Sequence, residues 1–179
     1  MIDEIFKEMH QEEFSDWGVL LGVSDVSSLT GRLIDSSIRM FANDELEILS
    51  VDDSVLDLVV NIEANSNMDG NDLRDNIRKI CIEREVDMNL SCRKWRFFCL
   101  RNLMSEPEDD PVYGLIRISI FWSAWEWPGG TPSSMQGESK LAGEMYYTQE
   151  NYERIVEDHR TWIDRESIFL HIKIATINS

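Results

Sequence analysis

The sequence predicts a mainly all-α protein, a single-domain bundle of about six to eight helices over residues 1–179. Three observations predict it. Apolar residues recur at helical spacing in successive stretches, helix-capping residues stand before several of them, and the breaks between them are mostly short and polar. A chain of 179 residues has the length of one ordinary domain and can bury a core without disulfides or a structural metal.

Residues 2–9 place Ile2, Ile5, Phe6 and Met9 on one face. Ser27 and Ser28, good N-cap residues, precede Leu29, Leu33, Ile34, Ile38 and Phe41. From Asp53 onward Val55, Leu58, Val59 and Ile62 keep the i, i+3, i+4, i+7 spacing, and Leu73, Ile77, Ile80 and Cys81 mark the next helix. An Asn71 or Asp72 cap would start that helix, and Ser91 would open another carrying Trp95, Phe98, Cys99 and Leu103. Asp110 followed by Pro111 is an N-cap with proline at the first helical position. The helix it starts, Val112 to Trp122, is apolar nearly all round and is expected to be the central one. Thr148 caps a last helix bearing Tyr152, Ile155, Val156, His159, Trp162 and Ile163. Phe169 to Ile174 alternates and is β-branched, so both strand and helix fit it. A short β element near the C-terminus would make the fold α+β, with Glu47 to Val51 as its best pairing partner.

The longest connection, Pro128 to Gly143, has no periodicity and reads equally as a functional loop or a linker. Three tryptophans lie just before it. Trp122 is expected in the core, while Trp125 and Trp127 fit either core packing or a binding anchor.

Charge is the dominant global feature. There are 34 acidic and 17 basic residues, a net charge of −17. Such a surface repels nucleic acid and anionic membranes and attracts cationic partners. Residues 1–70 carry −13 of it, and the segment 71–104 is net +3. Asp44, Glu45, Glu47, Asp52, Asp53 and Asp57 are the candidate partner-binding carboxylates, joined by Trp125 and Trp127.

The usual signatures of catalysis or metal binding are missing. Asn65-x-Asn67-x-Asp69-Gly70 begins like a calcium loop, but position twelve is Asn76 where a bidentate Glu belongs. Gly129-Gly130 does not follow a strand and no lysine comes after it, so it is no phosphate loop. His159 sits on an apolar stripe and reads as a hydrogen-bonded core residue. The expectation is no catalytic residue, no metal and no cofactor. Cys81, Cys92 and Cys99 read as free thiols, since an odd number without framework spacing suits a reducing compartment. The acidic start and the lack of an ~18-residue apolar run predict a cytoplasmic protein.

Several short motifs resemble a family of small bacterial proteins: Asp16-Trp17-Gly18, Arg93-Lys94-Trp95, Asp110-Pro111, Trp127-Pro128, Ser134-Met135 and Glu150-Asn151-Tyr152. Several members of that family look like immunity proteins of polymorphic toxin or contact-dependent growth inhibition systems. The resemblance implies a helical domain that binds and neutralises a cognate toxin. Charge adds that the toxin is basic, as a nuclease would be. Two alternatives remain at this level: a nucleic-acid mimic that inhibits a DNA-binding protein, and a metal-dependent carboxylate enzyme. The oligomeric state is not legible.

Overall fold

A computed structural model of the chain describes residues 2–23, 35–65, 68–132 and 143–177. Among the described residues every regular element is a helix: α1 (Ile2–Gln11), α2 (Trp17–Val23), α3 (Asp35–Ile48), α4 (Leu56–Ala64), α5 (Gly70–Glu83), α6 (Met88–Ser105), α7 (Pro111–Ala124), α8 (Gly143–Tyr146) and α9 (Gln149–Ile177). The all-α expectation holds. The chain divides into two compact units, Met1–Trp95 and Arg96–Ser179.

In the first unit the stripe read from α1 is buried: Ile2, Ile5, Phe6 and Met9. α1 and α3 run parallel, because their contacts advance together. Ser37 donates to Asp3 (2.9 Å), Phe6 meets Phe41 edge-on (6.2 Å), and His10 bonds Asp44 (2.8 Å). α3 packs on α4, and α5 packs on α2 and α4. Their cores include Ile38, Phe41, Val55, Val59, Ile62, Ile77 and Ile80. Gly18 in α2 is a close-approach position, since a Cβ there would collide with Ser91 and Val86. Asp16 stands just before α2. It accepts from the Val19 N–H (2.7 Å) and the Ser91 hydroxyl (2.8 Å), and it pairs with the nearly buried Lys94 (2.5 Å). The Trp95 indole N–H donates to the Val19 carbonyl (2.6 Å).

In the second unit α7 and α9 are also parallel. Gly114 lies against Tyr152, and one helical stretch further on Trp122 meets His159. A side chain at Gly114 would run into the Tyr152 ring. Leu100 and Met104 of α6, Leu115, Ile118, Phe121 and Trp122 of α7, Tyr146 of α8, and Tyr152, Ile155 and Val156 of α9 form the core. α6 runs against α9, since Arg96 stacks over Trp162 (6.0 Å) whereas Met104 sits near Tyr152.

Three helices end in the same way. After α1, α5 and α7, paired 6→1 and 5→2 backbone bonds form a Schellman cap. They are Phe14 N to Met9 O and Glu13 N to His10 O, Val86 N to Cys81 O and Glu85 N to Ile82 O, and Trp127 N to Trp122 O and Glu126 N to Ser123 O. The left-handed position, where glycine is usual, holds Glu13 (φ 62°), Glu85 (φ 49°) and Glu126 (φ 55°).

The structure corrects five sequence-based expectations, one of them the α5 cap, which is Asp69 while Asn71 and Asp72 lie inside the helix. Residues 169–174 belong to α9 and form no strand. A lone strand would leave its N–H and C=O groups unpaired, whereas the helix pairs them within itself, and Leu170 continues its buried face. Glu47 to Val51 is the end of α3 and a turn. α6 starts at an Asp87 cap, whose carboxylate accepts from Asn89 N (2.9 Å) and Leu90 N (3.1 Å); Ser91 lies inside it. α7 is not buried all round, since Val112, Tyr113, Ile116 and Ile120 face outward. The Ser27–Ser28 cap, Asn67, and the middle of the long connection lie outside the described residues. α2 and the short α8 were not anticipated.

Candidate functional site

The six candidate carboxylates cluster along the chain at the end of α3, the α3–α4 turn and the start of α4, and the structure sorts them into two groups. Asp44 is hydrogen-bonded to His10, whose other ring nitrogen bonds the Ser15 hydroxyl (2.8 Å). Glu45 accepts from the Trp17 indole N–H (3.1 Å). Burial raises its pKa, and the Trp17 hydrogen bond partly offsets this. Asp53 accepts from the Val55 N–H (3.1 Å) and pairs with Arg84 (2.6 Å), so it starts α4 and ties the turn to the end of α5. These three carboxylates hold the fold together. Glu47, Asp52 and Asp57 are exposed.

The turn itself is well defined. Asp53 N donates to Ser50 O (3.1 Å), which closes a turn with Val51 and Asp52 at its tip. Beside the exposed carboxylates stand two large apolar side chains the sequence reading did not single out. Ile48 is 78% exposed and Val51 89% exposed. Helical spacing puts Ile48 seven residues after the buried Phe41, on the same face of α3, so the sequence carries no signal for its exposure; Val51 lies beyond the helix.

Trp125 and Trp127 lie elsewhere, in the second unit. Both are half-buried and pack against its core. Trp125 leans on Phe121 (6.2 Å), and its buried indole N–H has no hydrogen-bond acceptor among the described residues. The candidate site residues therefore fall in different units.

Two histidine networks bear on chemistry. Ser15, His10 and Asp44 follow the order of a hydrolytic triad, an arrangement with partners too far apart in sequence to be legible there. The relay ties α1 to α3. His159 is fully buried. It accepts from Trp122 Nε1–H (2.8 Å), which leaves its own proton on Nδ1 to donate to Ile155 O (2.6 Å). Burial lowers its pKa, so this histidine is a neutral core bridge.

Burial also pushes the Cys81 thiol up to about 11 and Cys99 to about 12. Thiols so protonated are poor nucleophiles. Among the described residues no group of three or more His, Cys, Asp or Glu is arranged to hold a metal ion. Asp69, from the calcium-like stretch, instead caps α5 through Asn71 N (3.4 Å). No helix among the described residues is long and apolar enough to cross a membrane.

Among the described residues the fold is all-helical, and Glu47, Asp52 and Asp57 are exposed near Ile48 and Val51 in the chain. The family described as "Uncharacterized protein conserved in bacteria (DUF2247)" matches residues 6–167, and the chain belongs to it. No curated protein and no solved structure matches the chain.

Proposed function

We propose that the protein is an acidic binding module, an immunity protein that neutralises a cognate basic bacterial toxin, most simply a nuclease, without catalysing a reaction itself. The observation that carries the reading is the exposed carboxylate group of Glu47, Asp52 and Asp57, in the half of the chain that holds most of the −17 charge. Like charges at this density repel one another across distances within the ~8 Å Debye length, so they oppose folding. A cationic partner reverses that cost. A nuclease must grip a polyanion, and an acidic face can occupy the same grip while speeding association. The motif resemblance to toxin-immunity proteins supports the same reading. So does the internal use of Asp44, Glu45 and Asp53, which anchor α3 and the turn to their neighbours while Glu47, Asp52 and Asp57 stay exposed on α3, the turn and α4.

The direct test is co-expression with the products of neighbouring genes. Growth rescue from one of them, with a stoichiometric complex of the two purified proteins, is the expected result. Absence of both protection and complex across every neighbour would refute the proposal. A purified toxin would be inhibited at one equivalent, and inhibition would weaken with rising salt.

A further inference from the structure

We infer that the partner surface recognised by the α3–α4 turn is amphipathic as well as cationic: an apolar side chain flanked by lysine or arginine. This rests on reading that turn as the partner-binding face and specifies its chemistry. Ile48 and Val51 are the two most exposed large hydrophobic side chains among the described residues. They are three residues apart, at the last position of α3 and the tip of the turn. Glu47 and Asp52 adjoin them in the chain, and Asp57 follows on α4. Exposed apolar side chains with exposed carboxylates next to them in the chain have the composition that protein-binding surfaces combine.

The turn is also held in place before any partner arrives. Asp53 fixes it from within through Val55 N and from outside through Arg84. A valine at the tip of a rigid turn loses little conformational freedom on binding, which conserves affinity. Nothing in turn formation asks for valine there, since turn tips favour Pro, Asn, Asp and Gly. A purely polycationic target would find Ile48 and Val51 useless, because they contribute only when apolar surface covers them. An anionic membrane is excluded as occupant by the three carboxylates. The complement in both charge and polarity is a basic amphipathic segment of a protein.

The test uses the full chain and two fluorescein-labelled 14-residue peptides. One is a Leu–Lys peptide patterned as an amphipathic helix, and the other replaces each Leu by Ser at equal charge. Anisotropy titration of the unmodified chain is expected to favour the Leu–Lys peptide by about tenfold or more, from partial burial of two aliphatic side chains. The double variant I48S/V51S should lose that preference with its melting temperature unchanged, as both positions are exposed. The triple variant E47Q/D52N/D57N should weaken both peptides and flatten the salt dependence. An undiminished preference in I48S/V51S would overturn the inference. If the triple variant still weakens both peptides, the acidic face survives that failure. If the triple variant changes neither, or neither peptide binds the unmodified chain, both readings fall.

Discussion

Replacing Glu126 by glycine should make the protein more stable. Glu126 occupies the left-handed position of the α7 cap at φ 55°, fixed by its bond to Ser123 O and by the Trp127 N bond to Trp122 O. A side chain in that conformation costs about 1–2 kcal/mol because Cβ crowds the following carbonyl. A carboxylate at a helix C-terminus opposes the macrodipole by about 0.3–1 kcal/mol when exposed. Glycine removes both costs and returns about 0.4–1 kcal/mol through its freer unfolded chain. The net gain is about 1 kcal/mol. Urea unfolding followed by tryptophan fluorescence reads it directly. Glu126→Gln removes only the charge and should gain a few tenths. Glu126→Asn also tolerates the left-handed backbone and should fall between Gln and Gly. Glu13→Gly and Glu85→Gly repeat the experiment at φ 62° and 49° with the same bond pair. If Glu126→Gly is neutral or destabilising, or if Gln matches Gly at all three sites, the strain argument is wrong.

Three further outcomes follow from the packing. Gly114→Ala forces a methyl into the Tyr152 ring and should cost about 1–3 kcal/mol, partly recovered in the double variant with Tyr152→Leu; no loss in chemical denaturation would contradict the close α7–α9 approach. Asp16→Ala strands the Lys94 ammonium, whose side chain is only 7% exposed, and removes the Ser91 and Val19 bonds, so about 3 kcal/mol of stability should go; a change under 1 kcal/mol would show the ion pair is unimportant. His159 has a folded pKa below its ordinary 6.5, so the unfolded chain binds its proton more readily. Its contribution is therefore complete above pH 6.5 and declines as pH falls below it. The urea midpoint of the native protein should drop from pH 7 to pH 5 by more than that of His159→Gln, and parallel curves would refute the neutral bridge.

Much of the fold could be read from the chain because helical periodicity is local. The buried stripe of α1, the Asp110–Pro111 start of α7 and the Thr148 cap of α9 are all set by residues within one or two turns. α2 escaped because Trp17 to Val23 is apolar or glycine throughout, so it has no polar face to contrast with a buried one. The end of α9 was ambiguous because its alternation fits two periods, and only its continuity with a long helix decides between them. In the candidate site the acidic excess was visible, but its division was not. His10 reaches Asp44 across 34 residues, Trp17 reaches Glu45 across 28, and Arg84 reaches Asp53 across 31. No local pattern encodes which carboxylates a distant partner will occupy.

The parallel course of α7 and α9 has a kinetic consequence. Gly130 O accepts from the Trp162 indole, thirteen residues beyond the start of α9 at Gln149. The start of α9 therefore lies about 20 Å, at 1.5 Å per helical residue, from the point where Gly130 meets that helix. Contacts such as Trp122–His159 and Gly114–Tyr152 therefore close loops of nearly forty residues, whereas α6 and α7 are joined by the short stretch 106–110. Closing a long loop is paid in chain entropy before its contacts reward it. In the second unit, refolding should therefore pair α6 with α7 early and add α9 last. Time-resolved burial of Trp162 would then lag the formation of α7, and a simultaneous appearance would show that loop closure does not limit folding.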